Sequence, residues 1–295
     1  MANLKSIKVR IRTVKSTQKI TQAMKLVAAS KVRKAQIRVL NSRPYSQKVT
    51  DFVASTASAM LQLERQRIPL MNKRNVSSAL LVVITSDRGL CGSYNTNVIK
   101  RAVKRIIELK SSNLKVKLLL IGNKANNFFR RTNTEILECF TQLPPIPTVE
   151  LSNLIASCAE HAFIDKKVDQ VEIIGTEFVS MIRNEVHMKH FLPIEPAISS
   201  SGAQSSGGLK SEVLFEPDLT VVLESLLPLH LSNVIFHALL EASTSELASR
   251  MNAMSNATKN AEEMIGNLTI VYNKARQAAI TQELTEIVGG VEALK

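Results

Sequence analysis

Between Leu247 and Gln282, eleven positions follow one another at alternating steps of four and three: Leu247, Met251, Met254, Thr258, Ala261, Ile265, Leu268, Tyr272, Ala275, Ala279 and Gln282. Nine of the eleven are apolar, and a stripe of that period runs down one side of a helix and needs another helix to cover it. The surrounding stretch, Leu229 to Val288, contains no proline and one glycine, Gly266, which costs about 1 kcal/mol relative to alanine. Small Ala and flexible Met side chains let a partner helix approach closely. Core packing therefore explains the Met stripe better than a cofactor box does.

A partner of suitable length lies at the other end of the chain. No proline precedes Pro44 and no glycine precedes Gly89, so residues 3 to 43 hold no strong helix breaker. Leu4, Ile7, Ile11 and Val14 repeat at the same spacing, continued by Ile20, Met24 and Val27 and then, after a shift of register, by Val32, Ala35 and Val39. About forty helical residues reach roughly 60 Å. The two terminal segments are predicted to pair as a coiled coil, antiparallel or otherwise. With no Trp, 4% aromatic residues and 45% hydrophobic ones, helix-on-helix packing through aliphatic side chains suits the whole composition.

The rhythm changes in the middle. ALLVVI at 79 to 84, VKLLLI at 116 to 121 and VEIIGT at 171 to 176 are compact apolar runs that read as buried strands. The first two are followed by the helical patterns NVIKRAVKRIIELK and NKANNFFRR, the alternation of a parallel sheet. The expected fold class is α/β: a long coiled coil of N- and C-terminal helices plus a central Rossmann-like domain with a mainly parallel sheet. Its expected parts are an N-terminal coiled-coil helix over 1–66, the α/β domain over 76–198, a Ser/Gly-rich linker or exposed loop over 199–217, and a C-terminal coiled-coil helix over 218–295.

The net charge of +13 is concentrated. Residues 1 to 50 hold 13 Lys or Arg and no Asp or Glu, the first acid being Asp51, while the remainder is balanced. A solvated helix face, a nucleic-acid or lipid surface, and a surface for a partner with acidic loops all fit this pattern. Tyr45 is the only aromatic residue there, so the stacking side chains of a nucleic-acid binder are missing. No run is seen that reaches the roughly 18 apolar residues of a membrane span.

ITSDRGLCGSYN, residues 84 to 95, sits at the carboxyl end of a predicted strand, where open α/β sheets bind phosphates. It carries neither GxxxxGK[ST] nor GxGxxG, and no Lys follows Gly92 until Lys100. Cys91 has no His near it in sequence to act as a base. A structural turn is the better reading. Cys91, Cys139 and Cys158 form no metal-ligand spacing. His187 and His190 could share a helix face, but without further ligands they read as a surface pair. No catalytic, cofactor or metal residue is expected.

KITQAMKLVAASKVRKAQ at 19 to 36, ITSDRGLCGSYN, and YNKARQAAITQELTEIVGG at 272 to 290 together resemble the gamma subunits of F-type ATP synthases, with FEPD, LLPLHLSN and AMSNATKNA in the same order. Ile280, Thr281, Glu283, Glu286 and Gly290 match the family's terminal pattern, and Val291 departs from its usual Ala. The resemblance implies a non-catalytic rotor that couples proton-driven rotation to ATP synthesis or hydrolysis on a ring of alpha and beta subunits. It also implies the epsilon subunit and the membrane c-ring as neighbours, and a peripheral position on the inner face of an energy-transducing membrane. Ring contacts carry over onto Met24, Lys25, Arg250, Arg276, Gln277, Thr281, Glu283 and Glu286. Lys31, Arg33 and Lys34 join them as an acid-free basic turn.

The wording of LLPLHLSN and TEFVSMIRNEV is similar to the cyanobacterial and plastid branch, whose long insertion is missing around 199 to 217. The regulatory cysteine pair of plastid relatives lies in that insertion, so no thiol switch is expected. The competing functions are a basic coiled-coil nucleic-acid-binding protein, resting on the acid-free helix, and an α/β phosphotransfer enzyme, resting on the glycine loop alone.

Overall fold

The computed structural model describes residues 4–59, 68–194 and 218–293. The Ser/Gly-rich segment 199–217 lies outside the described residues. In chain order the elements are α1 (Leu4–Ala59), a short 3-10 turn (Pro69–Met71), β1 (Ser78–Ile84), α2 (Tyr94–Ser111), β2 (Lys115–Ile121) and α3 (Asn123–Phe129). They continue with β3 (Glu135–Phe140), α4 (Val149–Ile164), β4 (Gln170–Phe178), β5 (Asn184–Leu192) and α5 (Leu219–Ala293). The chain divides into two compact units, Met1–Ser30 with Arg250–Lys295, and Lys31–Ser249.

The first unit is helix on helix. On α5 the predicted stripe is the covered side: Met254 and Ala261 are buried, and Thr258, Ile265, Leu268, Tyr272, Ala275 and Ala279 are partly covered. Gln282, expected to close the stripe, is exposed, as is every residue from Ile280 to Gly290.

On α1 the seam differs from the expected one. Ile7, Thr21 and Ala28 are buried, with Leu4, Ile11, Val14, Gln18 and Lys25 partly covered between them, whereas Ile20 and Val27 are 59% and 56% exposed. The steps of three and four run on without a break to Val32, Ala35 and Val39, so the shift of register does not occur. Helix geometry decides which side is covered. Polar residues hold seam positions where they find partners, as Thr21 does with Thr258 at 2.8 Å.

The second unit holds a five-stranded sheet in the order β3-β2-β1-β4-β5. The first four strands are parallel and β5 is antiparallel to β4. Leu80, Val82, Ile84, Leu119, Ile121 and Ile173 pack with Ile155, Ala159 and Phe163 of α4 and with α5. Ala79, Leu81, Val83, Leu118, Leu120 and Ile174 pack with Val98, Ala102 and Ile106 of α2 and with Ala125 and Phe129 of α3. Both faces are covered, which is why the central strands are continuous apolar runs.

The three strands expected from those runs are β1, β2 and β4. β3 and β5, with half-buried and mixed residues, lack the apolar run. His187 and His190 lie on β5, where residues three apart face opposite sides of the sheet, so they do not share a helix face.

Both long helices run through a proline, Pro44 in α1 and Pro228 in α5. An interior proline costs about 3 kcal/mol. Packing outweighs it here, because Val53 and Ala57 after Pro44, and Leu223, Leu227, Leu231, Ile235, Leu239 and Ala242 around Pro228, belong to one core. The two helices run antiparallel in this unit: Val32 packs with Leu247 and Ala248, while Arg43, further along α1, reaches Glu241, earlier in α5. By length and composition α5 passes as long and apolar enough to cross a membrane, but its apolar stretch is interrupted by His230, Asn233, His237 and Glu241 and contributes Leu223, Leu227, Leu231, Ile235, Leu239 and Ala242 to the core.

Candidate functional site

The loop after β1 is built as a clamp. Asp87 accepts the main-chain N–H of Asn123 through Oδ1 at 2.8 Å and that of Leu143 through Oδ2 at 2.6 Å. One carboxylate thus ties the β1 loop to the start of α3 and to the segment after β3. Thr85 donates to the Ile121 carbonyl at 3.0 Å and accepts from the Ala125 N–H at 3.0 Å. At Gly122, φ is 94° and a Cβ would stand 2.3 Å from the Thr85 carbonyl oxygen, so the close crossing of the β1 and β2 ends requires glycine.

Cys91 is buried, and its contacts do not make a nucleophile. Asn95 approaches it with Nδ2 at 3.1 Å and also accepts the Ser86 N–H at 3.0 Å. An amide cannot take the thiol proton, so this group fixes the turn. Burial, helped by Glu138 and Asp87, raises the Cys139 thiol above its ordinary value. Burial and Glu138 do the same for Cys158, against Lys167. No disulfide joins Cys91, Cys139 and Cys158.

The carboxyl end of β4 lies at the point where the strand order reverses, the usual ligand crevice of such a sheet. Here Phe178 ends β4 and packs with Val32, Leu247 and Ala248. Asn184 donates to the Ser245 carbonyl at 3.3 Å and to Ser249 Oγ at 3.0 Å, and Arg43 donates to the Phe178 carbonyl at 3.2 Å. The long helices thus pack against the far end of β4, beyond its last pair with β1. No group of three or more His, Cys, Asp or Glu is placed to hold a metal ion among the described residues.

What is open to solvent is the helical surface. Lys31, Arg33 and Lys34 are exposed on α1, and Met24 and Lys25 are partly covered on the same helix. On α5, Arg250 is partly covered, while Arg276, Gln277, Thr281, Glu283 and Glu286 are exposed. Two short links bind members of this set or their neighbours: Thr281 donates to the Gln277 carbonyl at 2.9 Å, and Gln282 donates to Glu286 at 2.9 Å. The structure does not gather these residues into a pocket.

These features define an α/β protein with long terminal helices, its open polar chemistry lying on helix surfaces. The family model described as ATP synthase matches residues 3–294. The ATP synthase gamma chain of Thermosynechococcus vestitus is 43% identical over an alignment of 316 residues that covers all of both chains. That of Synechococcus elongatus is 44% identical over 315, covering all of this chain and 99% of the relative. This chain belongs to the ATP synthase gamma chain family.

The alignments are longer than the 295 residues of this chain, so these relatives carry positions that it lacks. Among solved structures, a chain of the Tetrahymena thermophila mitochondrial ATP synthase central stalk and c-ring matches 81% of this chain and 99% of its own length, with 28% identity and a TM-score of 0.58. A chain of the Euglena gracilis mitochondrial enzyme shares the fold over 99% of this chain and 94% of its own, at 20% identity and a TM-score of 0.67.

Proposed function

We propose that this chain is the non-catalytic rotor shaft of an F-type ATP synthase, turning within a ring of alternating alpha and beta subunits. Its neighbours are the epsilon subunit and the membrane c-ring, and it sits peripherally on the inner face of an energy-transducing membrane. The observation that carries this reading is the full-length relationship to gamma chains. No observation favours nucleic acid or phosphotransfer: the basic stretch holds a single aromatic residue, Tyr45, and Asp87 and Thr85 of the β1 loop are engaged with main-chain groups.

The shaft works by position. An asymmetric shaft that turns presents a different side to each ring site, and the sites respond only as far as its contacts differ between their open and closed states. Contacts that must be made and broken each turn should be individually weak. Exposed ion pairs, worth about 0 to 1 kcal/mol each, suit this. Lys31, Arg33 and Lys34 on α1, with Met24, Lys25, Arg250, Arg276, Gln277, Thr281, Glu283 and Glu286, are the residues that meet the ring.

The test replaces Lys31, Arg33 and Lys34 together with Gln. Helicity and unfolding midpoint of the isolated chain should be unchanged or slightly raised, because like charges are removed from an exposed turn. ATP hydrolysis and proton pumping of reconstituted complexes, at matched assembly, should change together with their salt dependence. Unaltered hydrolysis, pumping and salt response would assign these charges to solvent alone.

A further inference from the structure

The outer side of α2 carries a second apolar stripe that the domain core covers only in part, Ile99 and Val103 being half-buried at its edge. Val98, Ala102, Ile106 and Leu109 turn toward the sheet. Beside them Ile99, Val103 and Ile107 recur every four residues and, with Phe128 of α3, line an open groove of about 770 Å³. Ile107 is 62% exposed and Phe128 43%. Phe128 is a held anchor: its ring meets the buried Phe129 edge-on, 5.1 Å between centroids.

The polar lining is one-sided in charge. Lys100 and Lys104 line the groove, and Glu108 is its only carboxylate. Glu108 is already engaged by Arg105 at 3.1 Å and by Arg101 at 3.9 Å. Lys100 and Lys104 make no ion pair with any described residue, so the groove offers two uncompensated ammonium groups beside an apolar floor.

We propose that this groove docks an amphipathic, acidic α-helix of a protein partner. Three anchors at four-residue spacing extend about 12 Å, two turns of helix, and match the apolar face of a helix laid in a groove. Carboxylates flanking that face would meet Lys100 and Lys104, whose long stems also cover apolar surface. A concave trough fits a cylinder better than it fits the plane of a bilayer. None of these residues is among those assigned to the ring, so the surface serves a different contact.

The experiment measures binding to the full chain of a helical peptide of about eighteen residues with a Leu face flanked by Glu, of the same peptide with Lys in place of Glu, and of phosphatidylglycerol vesicles. Two variants are compared, I107S/F128S and K100E/K104E. All four positions lie on the outer surface, and an unchanged unfolding midpoint verifies the fold. The Glu peptide should bind the unaltered chain and lose affinity by at least roughly tenfold in either variant, and K100E/K104E should gain the Lys peptide. The proposal is overturned by no binding of the Glu peptide, equal binding of both peptides, binding indifferent to both variants, or groove-dependent binding of vesicles alone.

Discussion

The hydroxyls of Thr21 and Thr258 stand 2.8 Å apart, joining α1 to α5 through side chains within the helical unit. Each hydroxyl has one hydrogen to donate. Thr21 also lies 3.0 Å from the Gln18 carbonyl and Thr258 2.8 Å from the Met254 carbonyl, so whichever Thr accepts across the seam donates to its own helix. The pair pins the register of two helices whose buried seam residues are otherwise apolar or small.

Changing either Thr alone to Val should cost about 1 kcal/mol, since the remaining hydroxyl keeps a backbone acceptor but loses its cross-helix partner. Changing both should cost less than the sum of the two. Urea unfolding of the four chains in a double-mutant cycle measures the coupling, and strict additivity would show that the bond contributes nothing.

In the α/β unit, Arg105 grips the buried Glu172 with two prongs, Nε to Oε2 at 2.8 Å and Nη2 to Oε1 at 2.6 Å. R105A leaves that carboxylate with Gln170 as its remaining partner and should destabilise by about 3 to 5 kcal/mol. R105K keeps the charge and loses the fork, so it should fall between. Thermal unfolding ranks the three.

The Asp87 clamp predicts a structural phenotype for a loop that looks like an active site. D87A removes the acceptor of two main-chain N–H groups, one exposed and one half-buried, and should lower stability by about 1 to 2 kcal/mol in all, with D87N milder. If D87A unfolded like the unaltered chain yet failed in the assembled enzyme, the loop would have a role beyond holding β1, α3 and the segment after β3 together.

One buried imidazole on α5, His230, and one half-buried, His237, set a pH dependence. Burial holds His230 below its ordinary value. Burial leads for His237 as well, joined by Lys189 of β5 and Arg43 of α1 against Glu177 of β4. His237 Nδ1 is 3.7 Å from Glu241, too far for a hydrogen bond to outweigh them. Their unfolded forms take up protons first, near 6.5, so stability is full above that pH and declines as pH falls toward the lowered folded values.

Burial raises the Glu241 carboxyl, so its contribution has the opposite sign and is lost as pH rises from about 4.5. H237Q should therefore flatten the acid-side decline, which unfolding midpoints between about pH 7 and 5 would reveal.

Much of this was legible in the residues. The eleven-position stripe of α5 told its covered side down to Ala279, because a helix of fixed pitch exposes the same side wherever small and apolar residues recur. The apolar runs marked β1, β2 and β4, because a strand covered on both faces has no room for alternation. β3 and β5 gave no such sign, being edge strands whose mixed residues resemble loops. In α1 the phase was missed at Ile20 and Val27, where hydrophobicity and helical position disagree.

The sequence by itself determined the two long helices and the parallel sheet between them, since period and breaker content are local properties of the chain. Tertiary structure alone decided the rest. It placed Gln18, Thr21 and Lys25 in the seam, carried both helices through Pro44 and Pro228, and packed Phe178 at the end of β4 against Val32, Leu247 and Ala248. Each of these depends on partners far away in sequence, whose burial outweighs local preferences of a few kcal/mol.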